Sequence, residues 1–82
     1  MIAKSKQKII EDGHHAKRLM DDDKLQEFLD EIKASCHVEI EVTGFNDTQA
    51  REAAYMKLKG VDHVRQALQA MIDNASIEKN GK

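Results

Sequence analysis

Residues 46–75 read NDTQAREAAYMKLKGVDHVRQALQAMIDNA, and the recurrence of apolar side chains in this stretch decides the fold. Ala50, Ala54, Val61, Val64, Leu68, Met71 and Ala75 keep a register of three and four, with Lys57 the one interruption and Leu58 and Ile72 widening the stripe. That period belongs to a helix. Asn46, Asp47 and Thr48 are all good N-cap residues. With Asn46 as the cap, Gln49 stands at the third helical position, from which its side chain can return to the cap N–H. A helix over residues 47–75 would be about 43 Å long, more than a compact domain of this size covers, so another element has to lie along it.

The stretch before it supplies a partner. Asp21, Asp22 and Asp23 put negative charge where a helix dipole favours it, and Met20 with Leu25 can staple a helix start capped by Asp21. Leu25, Phe28, Leu29, Ile32, Cys36 and Ile40 then mark one face of a helix over residues 22–43. Gly44 is placed to end it in a left-handed conformation, with Phe45, Asn46 and Asp47 completing a short connection. The expected fold is all-α: an antiparallel helical hairpin, with a short helical segment before it.

One segment opposes this reading. Residues 37–43 alternate polar and apolar, with Val38, Ile40, Val42 and Thr43 giving a strand signature. No second segment of that kind exists to pair with it, and a lone strand leaves its backbone groups unsatisfied. Helix is therefore the expectation, and an intermolecular two-stranded ribbon the exception to it.

Composition agrees. The chain has 82 residues, no proline, four glycines and three aromatic residues, which permits long helix and disfavours a twisted sheet. It reads as a single domain that hides only about 60% of its extended surface, so its stability is marginal unless another chain contributes. A single cysteine excludes an internal disulfide and, with no secretion-type N-terminus, predicts a reducing cytoplasm or a particle assembled in one. No apolar run approaches the roughly 20 residues of a membrane span.

The formal net charge of −2 conceals a segregation. Residues 1–20 hold five Lys/Arg against two acids, residues 21–47 two against nine, and residues 48–82 six against four. Such blocks set basic helices beside an acidic one. Residues 1–20 read as a weakly ordered basic segment, in which Ile2, Ile9, Ile10, Ala16, Leu19 and Met20 permit one or two short helices broken at Gly13. Residues 76–82 read as a frayed tail.

Candidate chemistry is thin. His14, His15, Cys36, His37 and His63 are possible zinc ligands, but adjacent residues on a helix diverge by about 100° and no pair has ligand spacing. Cys36 beside His37 lacks the third group and the oxyanion donors that a nucleophile needs. Glu39 with Glu41, and the Asp21–Asp23 run, read as solvated faces or caps. No glycine-rich phosphate loop occurs. No metal, cofactor or enzymatic activity is expected. Lys4, Lys6, Lys8, Lys17 and Arg18 could meet phosphate, yet the chain is acidic overall, has no recognition-helix signature and interleaves no aromatics with these lysines, so the balance is against nucleic acid.

The run from Asn46 to Glu52, with Tyr55, Asp62, Val64, Arg65, Leu68, Asp73 and Asn74, resembles small accessory proteins encoded in tailed-bacteriophage genomes. The resemblance spans residues 9–75, rests on D-T-x-x-R-E-x-x-Y and D-x-V-R-x-x-L, and includes a preceding helix that opens on acidic residues. This chain departs from the pattern at Gly60 and in the Val38, Ile40, Val42 alternation. The resemblance implies a phage origin, an accessory or virion-assembly role and no active site, in the host cytoplasm or in the virion. The expected mode of action is helix-mediated self-association or binding to a phage structural protein, with Tyr55, Leu58, Val61, Leu68 and Ile72 as partner-contact candidates. The alternative is a small phage regulator that binds a host protein or nucleic acid through its charge blocks.

Overall fold

The computed structural model describes residues 4–81, so Ile2 and Lys82 lie outside the described residues. Three helices follow in order: α1 (Lys6–Met20), α2 (Asp23–Val42) and α3 (Thr48–Asn80). Helix accounts for 87% of the described residues, which include no strand. The strand-like residues 37–42 are the last turns of α2. With no neighbouring edge available, the helix satisfies their backbone groups locally.

Each helix starts on a side-chain cap; that of α3 is one of the three predicted candidates, and that of α2 is one residue later than expected. Ser5 accepts from the N–H of Lys8 at 3.2 Å. Asp22, not Asp21, caps α2, accepting from the N–H groups of Lys24 at 2.9 Å and Leu25 at 3.1 Å. Asp21 instead closes α1, donating its N–H to the Lys17 carbonyl at 2.9 Å while its carboxylate receives the Lys17 ammonium at 2.5 Å. Asp47, not Asn46, caps α3 by accepting from the Ala50 N–H at 3.2 Å. Gln49 therefore stands one position too early to return to the cap.

The end of α2 also departs from expectation. No described glycine has positive φ, and Thr43 leaves the helix in an extended conformation. Its hydroxyl donates to the Ile40 carbonyl at 2.7 Å, satisfying a carbonyl that a left-handed glycine cap would otherwise serve.

α3 is the spine. It runs through Gly60 without a break and past Ala75 to Asn80, so most of the expected tail is helical. α2 lies beside its N-terminal half and α1 crosses its C-terminal half, while α1 and α2 barely touch. α1 is one continuous helix through Gly13, which is buried rather than a break. A Cβ at Gly13 would collide with that of Ala75 and come within 2.9 Å of the Met71 carbonyl oxygen. The helix-interior glycine, unfavourable by about 1 kcal/mol relative to alanine, is what permits α1 to press against α3.

The chain is elongated, 55 × 30 × 17 Å, with a radius of gyration of 17.0 Å where a compact domain of this length would have about 12 Å. Its core is small. Ala16, Leu29, Cys36, Ala54, Leu58, Val61 and Ala75 are the buried apolar residues among those described.

Candidate association surface

The seam of α3 is Ala54, Leu58, Val61, Arg65, Leu68, Ile72 and Ala75, spaced four and three in alternation and all buried or half-buried. Compared with the sequence expectation, Ala54, Val61, Leu68 and Ala75 keep their places. The positions between them move by one residue: Leu58 replaces Lys57, Arg65 replaces Val64 and Ile72 replaces Met71. Hydropathy favoured the wrong residue only at Val64 and Arg65, because arginine buries its stem while its guanidinium reaches a polar partner; Leu58 and Ile72, which widened the predicted stripe, are the more apolar members of their pairs.

Arg65 finds those partners where α1 gives way to α2. Its Nε donates to Gln26 Oε1 at 3.0 Å, and its Nη2 donates to Asp30 Oδ1 at 2.8 Å and to the Gln26 carbonyl at 3.3 Å. The Gln26 amide in turn donates to the Met20 carbonyl at 3.2 Å, the last residue of α1. One arginine thus links the spine to both other helices.

Further ion pairs fix the register of α2. Lys33 reaches Asp62 at 2.8 Å and Lys57 reaches Glu39 at 2.9 Å. Residue numbers fall on α2 as they rise on α3, so the two helices run in opposite directions. Arg51 donates to Thr43 Oγ1 and the Gly44 carbonyl, both at 3.4 Å, and so belongs to the junction between α2 and α3. Hydrogen bonds from Lys33 hold the Asp62 carboxyl below its usual range, and the Glu39 carboxylate holds Lys57 above its own.

The pairs mark the two edges of the seam. Asp30, Lys33 and Asp62 lie on one flank, Glu39 and Lys57 on the other. At 100° per residue, Phe28 and Ile32 fall within about 20° of Glu39 around α2, and Val64 and Leu68 within about 20° of Lys57 around α3. The antiparallel register sets Ile32 level with Val64 and Phe28 level with Leu68. One flank of the α2–α3 pair is therefore an apolar cleft. Phe28 is 52% exposed and Ile32 and Val64 each 46%. Leu25 and Leu68 are half-buried at its floor. In a closed three-helix bundle the remaining helix would fill this cleft; here α1 lies farther along the spine, with Gly13 against Ala75.

Of the five predicted contact residues, Leu58 and Val61 are buried within the chain, and Leu68 and Ile72 are half-buried in the seam. Tyr55 is half exposed on the opposite flank, with the Lys59 ammonium 5.6 Å from its ring centre. Phe28, Ile32 and Val64 were visible as members of apolar stripes. Nothing in one helix taken alone distinguishes the middle of a stripe from its edge.

The other candidates remain apart. No three His, Cys, Asp or Glu side chains among the described residues converge as metal ligands. Cys36 is buried and His37 exposed, while His15 is paired with Arg18. Much of the basic N-terminal charge is engaged: Lys4 and Lys8 meet Asp12 at 2.8 and 3.0 Å, holding its carboxyl below the usual range, and Lys17 meets Asp21. No helix of the described residues is long and apolar enough to cross a membrane. No protein family, curated protein or solved structure matches the chain.

Proposed function

We propose that this is a non-enzymatic assembly protein, an α2–α3 helical hairpin extended by α1, which acts through helix-mediated association with its own kind or with a structural partner. The observation that carries this reading is the half-exposed apolar cleft in a chain with so small a core. Buried apolar surface is the main source of folding free energy, and a chain of this length with few buried residues gains what it lacks by association. The phage resemblance assigns the role to tailed-phage accessory or virion assembly, carried out in the host cytoplasm or retained in the particle.

The rival reading is a small phage regulator that binds a host protein or nucleic acid through its charge blocks; its nucleic-acid form is weakened by the engagement of Lys4, Lys8 and Lys17 with the chain's own carboxylates. Light scattering, combined with fluorescence-polarisation titration of DNA at low and high salt, separates the two. A stable oligomer without salt-dependent DNA affinity supports assembly. A monomer whose DNA affinity falls steeply with salt overturns it.

A further inference from the structure

We draw no further inference here: the strongest candidate, the apolar cleft of Phe28, Ile32, Val64 and Leu68 on one flank of the α2–α3 pair, is an unpartnered face whose neighbouring cations Lys57 and Arg65 already meet Glu39 and Asp30 of the same chain, and nothing in the structure shows what covers it.

Discussion

Gly13 of α1 lies so close to Ala75 of α3 that a methyl group at residue 13 would occupy the space of the Ala75 side chain. The contact fixes how near α1 comes to the spine, and Ala16, three residues on, is buried beside it. Small residues let two helix backbones approach this closely.

Two glycine substitutions should therefore have opposite signs. Gly13→Ala must push α1 off α3, and overpacking of about 1–3 kcal/mol outweighs the helix-propensity gain of about 1 kcal/mol. A Cβ at Gly60 would meet nothing within 4 Å, so Gly60→Ala should stabilise by up to about 1 kcal/mol. Urea denaturation of both variants checks the pair. Equal stabilisation by both would refute the tight packing of α1.

Arg65→Ala should cost about 1–2 kcal/mol, since its side chain is 22% exposed and its guanidinium joins Gln26 and Asp30. Arg65→Lys should recover little of this, because an ammonium cannot reproduce the planar fork. Hydrogen exchange is the informative readout. The loss of protection should centre on residues 20–30, where α1 passes into α2, and a loss spread evenly over α3 would contradict the linking role.

Acid should weaken the fold through two carboxylates. Lys33 lowers the Asp62 pKa and Lys4, followed by Lys8, lowers that of Asp12, both from an ordinary value of 3.8. A depressed carboxyl pKa contributes stability above its unfolded value, and that contribution disappears as pH falls through the folded one. Lys57, raised by Glu39 from 10.5, contributes below 10.5 and loses its effect as pH rises through its folded value. Stability should be flat near neutrality and decline at both extremes. Asp62→Asn should lower the neutral plateau slightly and flatten the acid limb; an unchanged acid limb would show that the Lys33 pair contributes nothing.

Leu68→Asp should unfold or dissociate the protein, as Leu68 sits in the seam between Arg65 and Ile72 and also at the floor of the cleft. Truncating a buried leucine costs roughly 2–5 kcal/mol, and a desolvated carboxylate costs more. Glu52→Ala, exposed near the start of α3, is the control. Arg51 would be a poor one, since it bonds the chain between α2 and α3. Full helicity and unchanged mass in Leu68→Asp would remove the seam from both roles.

The sequence by itself determined that the chain is helical, that a long helix begins within Asn46–Thr48, and that Ala54, Val61, Leu68 and Ala75 share its inner face. These properties follow from period, capping chemistry and the absence of proline, all of which act within a few residues of one another. Tertiary structure decided the rest. Whether Val64 or Arg65 faces inward depends on Gln26 and Asp30 being within reach of a guanidinium, and those residues belong to another helix. Gly13 reads as a helix breaker until Ala75 lies against it. Phe28 and Ile32 look the same in sequence whether an apolar stripe is covered or left open, because coverage depends on where α1 is placed, and that is set by packing against residues about 60 positions away in the chain.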